Sequence, residues 1–143
     1  MPYYAHIRQD ENGETIYQTV AEHLTGTAAL CREFAADFGA EADGDLMGLA
    51  HDLGKCTDAF QKRLLEGGPV VDHTTAGMLT CIRMKRPSAA ACVAGHHGGL
   101  LDVGNLRTDR AGEATLSGRF KKGVEGHLSL IHISEPTRQA EIS

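Results

Sequence analysis

Apolar residues recur at steps of three and four through Val20, Leu24, Ala28, Cys31, Ala35 and Phe38. That is the spacing of one buried helical face, and Gly39 is placed to end it. A second helix is predicted from Leu46, Leu49, Ala50 and Leu53, with Asp43 or Asp45 as its N-cap. Thr57 can cap a short third helix holding Phe60 and Leu64, stopped by Gly67-Gly68-Pro69. A fourth is expected from about Asp72 to Met84, and a fifth from about Ser88 to His97, cut off by Gly98-Gly99. Ahead of the helices, Tyr3-Tyr4-Ala5-His6-Ile7 and Glu14-Thr15-Ile16-Tyr17 flank Asp10-Glu11-Asn12-Gly13. Asn-Gly is a strong two-residue turn signal, so this stretch predicts a β-hairpin. From Leu100 to Gly126 the periodicity dissolves into Gly, Asp, Arg and Thr, which predicts a long surface loop. The fold class expected is mainly α, a helical bundle behind a short N-terminal β-hairpin, with no internal repeat.

Length and composition narrow this picture. The 143 residues give room for one domain with a real core. Hydrophobic content of 41% and charged content of 23% are those of a soluble globular protein. No apolar run reaches the roughly 18 residues of a membrane span, and the start MPYYAHIRQD lacks the basic-then-apolar signature of a signal peptide. The expectation is a cytoplasmic protein without a membrane partner. Cys31, Cys56, Cys81 and Cys92 form no C-x-x-C pair, and they read as buried thiols in a reducing compartment. The net charge of -5 argues against gripping a duplex by bulk electrostatics alone. It leaves room for a nuclease, because bound cations change the local charge where phosphate sits.

The chemistry lies in the histidines. The stretch LAHDLGKCTDAF sets His51 and Asp52 side by side among apolar neighbours, and polar groups entering a core are costly unless paired or metal-bound. His23 lies mid-helix beside Leu24, His73 opens the fourth helix, and His96-His97 close the fifth. A lone histidine is more often satisfied or exposed than a ligand. Five of them with Asp52, each beside apolar residues and glycine breaks, favour a site. Imidazole and carboxylate together suit one or two divalent transition metal ions such as Mn, Fe, Co, Ni or Zn. A single carboxylate among imidazoles can bridge two such ions, one per oxygen, and an ion pair of this kind assists in-line displacement at phosphorus.

The order His…His-Asp…His…His-His on a helical core resembles the HD superfamily of metal-dependent phosphohydrolases. The narrower words YYAH, AEHL, HDLGK, DHTTAG and GHHGGL resemble the HD nuclease domain of the type I CRISPR-associated helicase-nuclease, over roughly residues 3 to 127. HDLGK is shared by many HD enzymes; GHHGGL following DHTTAG is more specific. The resemblance implies an HD-type helical bundle with Asp52 as the bridging carboxylate. His23 and His51 would bind one metal, and His73, His96 and His97 the other. Lys55 would face the phosphate as a cation, with a solvated surface lysine as the alternative. Asp52 and Lys55 are thus the implied catalytic residues. The family also uses a later aspartate; Asp102 and Asp109 lie too early in the chain to match it.

The implied activity is metal-dependent hydrolysis of single-stranded DNA in antiviral defence, with a helicase domain or subunit and a CRISPR RNA-guided surveillance complex as partners. Arg83, Lys85, Arg86, Arg119, Lys121 and Lys122 are candidates to line the strand's path; singly, each reads more readily as a solvated charge. Two other readings stand beside this one: an HD phosphohydrolase of nucleotides or cyclic dinucleotides, and an inactive, truncated metal-binding fragment. The stretch LSLIHISEPTRQAEIS, residues 128–143, resembles a translated transposon-type sequencing adapter. The domain expected is therefore 1–127, C-terminally truncated, with 128–143, including His132, a non-native tail.

Overall fold

A computed structural model describes residues 1–126, in two units, Met1–Leu100 and Leu101–Ser143, the second described to residue 126. The expected tail at 128–143 lies outside the described residues. The fold is mainly α-helical with a short N-terminal antiparallel hairpin, as the periodicity predicts.

Strands β1 (Tyr4–Gln9) and β2 (Thr15–Thr19) pair with His6 opposite Gln18 and Arg8 opposite Ile16. The turn has three tip residues, 11–13, in place of the expected two. Asp10 N donates to Glu14 O at 2.9 Å, and Gly13 sits at φ 79°, a left-handed position that glycine fills without strain. The register shifts between Tyr4 and His6, and this irregularity leaves Ala5 buried with Val20, Leu24 and the half-buried Leu53.

Helix α1 (Val20–Ala36) begins with a capping box. Thr19 Oγ1 accepts from Glu22 N at 3.1 Å, and Glu22 Oε2 accepts from Thr19 N at 2.9 Å. Val20, Leu24, Ala28 and Ala35 form its buried face. Phe38, expected to extend that face, falls past the helix end and is 76% exposed.

Helix α2 (Glu41–Ala50) corrects the sequence reading twice. It starts before Asp43 and Asp45, after Ala40, with no side-chain cap. Its buried residues are Gly44, Gly48 and Ala50, while Leu49 is 39% exposed. A Cβ at Gly48 would strike the Ala28 backbone, and one at Gly44 the Cys31 carbonyl. Absent side chains, not apolar ones, let α2 lie against α1.

A 3-10 turn (Leu53–Cys56) leads to α3 (Asp58–Glu66), capped by Thr57 as expected. Helices α4 (Thr75–Arg83) and α5 (Pro87–Gly95) are shorter than predicted; both lose their flanking histidines to the adjoining turns. Met78, Cys81, Ala89, Ala90, Val93 and Ala94 complete the core. Only Cys81 of the four cysteines is buried; Cys56 and Cys92 are exposed, against expectation.

In the second unit the expected loop ends early. Asp109 Oδ2 accepts from Asn105 N at 2.9 Å and from Thr115 Oγ1 at 2.7 Å, ordering a turn-rich stretch. A helical segment then covers residues 116–126. Leu116, Phe120 and Val124 recur there at steps of four, diluted by Gly118 and Gly123. No helix among the described residues is long and apolar enough to cross a membrane.

Candidate metal centre

The site is built from helix ends. His51 is the residue at which α2 stops; its backbone N–H donates to Met47 O, and its ring Nδ1 lies 2.8 Å from Gly48 O. His96 ends α5 in the same way, with Nδ1 2.7 Å from Val93 O. His73 precedes α4, with Nδ1 3.1 Å from Val71 O. Asp52 follows His51 directly into the 3-10 turn. Gly54 closes the assembly: its N–H donates to His73 O at 3.1 Å, and a Cβ there would collide with the His73 backbone. The HDLGK turn and the DHTTAG segment touch because that position is glycine.

A carbonyl oxygen only accepts, so Nδ1 of His51, His73 and His96 carries the hydrogen in each neutral ring. The Nε2 lone pairs are then free, and all three point at Asp52. Oδ2 of Asp52 lies 2.9 Å from His23 Nε2 and 3.2 Å from His51 Nε2. Oδ1 lies 3.2 Å from His96 Nε2 and 3.5 Å from His73 Nε2. His97 Nε2 approaches His73 Nε2 at 2.7 Å, and His23 Nε2 approaches His51 Nε2 at 3.0 Å. Facing ring nitrogens repel unless a proton or a metal cation lies between them. The result is two donor groups that share one carboxylate: His23, His51 and Asp52, and Asp52, His73, His96 and His97. Within each group the donor atoms lie within 4.8 Å of one another. Imidazoles locked by backbone carbonyls around a buried carboxylate fit a divalent transition ion. Among the described residues neither group includes a second carboxylate.

Electrostatics supports these roles. Burial opposes the charge on Asp52, yet hydrogen bonds from His51, in its protonated form, and from Lys55, with the positive charge of each, hold its carboxyl far below the usual carboxylate range. Burial also pulls His51 down, but bonds to Asp52 and Gly48 outweigh it and leave the ring raised. At His23 burial wins over Asp52, and the ring is lowered. His97 is lowered by burial and then by His96 and His73. An anion faces imidazoles, two of which are biased toward the neutral, ligating form.

Lys55 departs from both expectations for it. It is only 5% exposed, and Nζ donates to Asp52 Oδ2 at 2.9 Å, His6 Nε2 at 3.1 Å and Ala5 O at 3.4 Å. An ammonium has three hydrogens, and these acceptors use all of them. Lys55 is neither solvated nor open to a phosphate in this arrangement; it holds the shared carboxylate from beneath. His6 then presents its Nε2 lone pair to Lys55 and donates from Nδ1 to Gln18 Oε1 at 2.8 Å. Its ring meets His23 edge-on, centroids 4.6 Å apart. Gln61 adds a second tie, accepting from Tyr4 N and donating to Tyr4 O, both at 2.9 Å, and donating to Lys55 O at 2.8 Å.

His6 and Gln61 are neighbours of the site that sequence reasoning missed. His6 had a signal in the YYAH word; Gln61, one amide on a short helix, had none. Of the basic residues proposed along a strand path, Arg86 is paired with Asp43 at 2.8 Å, and Lys121 donates to Asp109 O at 2.5 Å. Arg83, Lys85 and Lys122 are exposed. Asp109 is held by Asn105 and Thr115 within its own unit.

A family model described as HD domain matches residues 20–125. The matched stretch contains His23, His51, Asp52, His73, His96 and His97, and it begins just after the hairpin that carries His6. No curated protein matches the chain.

Proposed function

The chain belongs to the HD domain family, whose members are generally metal-dependent phosphohydrolases, and on that premise we propose that it hydrolyses phosphodiester bonds of single-stranded DNA. In this reading it is the nuclease domain of a type I CRISPR-associated system, fed by a helicase and directed by an RNA-guided surveillance complex. The observation that carries the phosphodiesterase reading is the division of Asp52: Oδ2 faces His23 and His51, and Oδ1 faces His73 and His96. The finer assignment to DNA and to CRISPR defence is supported by the words AEHL, HDLGK, DHTTAG and GHHGGL.

His23 and His51 with Asp52 would hold one cation, and Asp52 with His73, His96 and His97 the other. When bound, such ions supply Lewis acidity toward a phosphoryl oxygen and lower the pKa of water. The protein's part is preorganisation. Carbonyls of Gly48, Val71 and Val93 fix three rings with Nε2 inward, and Lys55 orients the carboxylate they surround. Fixed donors need no rearrangement as charge develops on the reacting phosphate.

The test is turnover by the full chain with added manganese, nickel or cobalt, on single-stranded oligonucleotides and on a panel of nucleotides and cyclic dinucleotides. Cleavage of the oligonucleotide supports the proposal. Turnover of the small substrates alone would replace it with the nucleotide phosphohydrolase reading. Metal binding with silence on both would mark the chain as an inactive metal-binding domain.

A further inference from the structure

A cavity of about 500 Å³ opens on the hairpin, lined by His6, Arg8, Ile16, Tyr17, Gln18 and Glu22. It shares His6 with the metal centre, since that ring contacts His23 edge-on and accepts from Lys55. The pairing places His6, Gln18, Arg8 and Ile16 on one face of the sheet. Arg8 is two residues beyond His6 on that face, about 6.8 Å along the strand, the scale of one nucleotide in an extended single strand. Its guanidinium is exposed and makes no ion pair among the described residues. Glu22, the acid of the lining, has its carboxylate committed to Thr19 at the start of α1. Ile16, 36% exposed, adds apolar surface beside the cation, while Tyr17, paired with Ile7, turns its ring to Tyr4 on the other face.

We propose that this hairpin face is a substrate subsite, in which Arg8 binds a backbone phosphate flanking the one held at the metal centre and Ile16 contacts an adjoining nucleoside. The inference rests on the single-strand reading above and deepens it. A polynucleotide with one phosphate at the Asp52 cluster carries further phosphates at nucleotide spacing, and the cavity that shares His6 with the centre offers them Arg8. A cation followed by apolar wall matches the alternation of phosphate and base, and this is how sequence-tolerant single-strand grooves are built. In a chain of net charge -5, a lone arginine so placed gives the strand a direction.

The experiment uses fluorescence anisotropy of a labelled phosphorothioate oligothymidylate, whose linkages resist turnover, with the full metal-loaded chain, across a series of salt concentrations. Each phosphate neutralised on a single strand contributes about 0.7 to the slope of log affinity against log salt. Arg8→Ala is expected to lower the slope by about that amount and to weaken low-salt binding by about threefold to tenfold. Arg8→Lys should keep the slope. A merely structural arginine would not move this quantity in steps of one phosphate. An Arg8→Ala slope equal to that of the parent overturns the subsite and leaves the single-strand reading standing. A parent that binds no oligothymidylate at any salt overturns both.

Discussion

Asp52 and Lys55 form a pair in which each depends on the other being charged. Removing one partner of a buried pair leaves the other uncompensated, at a cost of about 3–5 kcal/mol. Asp52→Ala is therefore expected to do two separable things: abolish metal binding, and lower the melting temperature because the ammonium of Lys55 is stranded. Adding Lys55→Met should recover much of the stability and none of the metal affinity. Calorimetric metal titration beside thermal unfolding checks both. An Asp52→Ala protein that still binds metal tightly removes Asp52 from the role of shared anion. His6 gives a finer version of the same test. Its Nε2 is one of three acceptors that fix Lys55, so His6→Ala should weaken metal affinity severalfold, and His6→Gln, which keeps an acceptor, should recover part of it. Equal affinities in all three proteins would sever the hairpin from the centre.

At the scale of elements, what the sequence revealed depended on which force positioned each piece. Helix α1 was legible because its buried face is written in Val20, Leu24, Ala28 and Ala35. Thr57 was legible because capping is local chemistry. The face of α2 was not, because it consists of Gly44 and Gly48, and a search for apolar side chains cannot register contacts made by their absence. The segment at 116–126 was lost because two glycines diluted its apolar steps. The histidines were found as a set, since adjacency to Asp52 and to glycine breaks is visible in one dimension. The interior place of Lys55 needed three acceptors from distant parts of the chain. Two glycines in helices make the packing claim testable. At Gly48 a Cβ meets the Ala28 backbone, whereas at Gly26 it meets nothing within 4 Å. Gly48→Ala is expected to destabilise by about 1–3 kcal/mol through overpacking. Gly26→Ala should stabilise by about 0.5–1 kcal/mol through helix propensity. Denaturant unfolding of the two variants measures the contrast, and equal shifts would mean that α1 and α2 can slide apart without penalty.

For the whole molecule, the question is how many cations the centre keeps. Oδ1 of Asp52 faces His73 and His96, and His97 joins the same donor group. Oδ2 serves His23 and His51 and already receives Lys55. Among the described residues, a dication on the Oδ2 side has one carboxylate, which it must share with an ammonium and with the other ion. One tightly bound divalent metal per chain and a second, much weaker one are expected, with slow cleavage. Elemental analysis after gel filtration, followed by ion titration, counts them. Two ions of equal affinity would require a further ligand beyond the two groups.

Both α2 and α5 stop at this centre, with His51 and His96 as their C-caps. Aligned peptide dipoles leave about half a negative elementary charge at a helix's C-terminal end. Two such ends together approach the charge of one carboxylate, delivered by backbone that no side-chain substitution removes. Among the described residues the centre holds a single titratable anion, and it therefore sits in a field more negative than its side chains alone provide. Unlike the charge on Asp52, that contribution has no pKa: acid cannot discharge it. The fold itself acts as a permanent counter-ion for whatever cation the histidines hold.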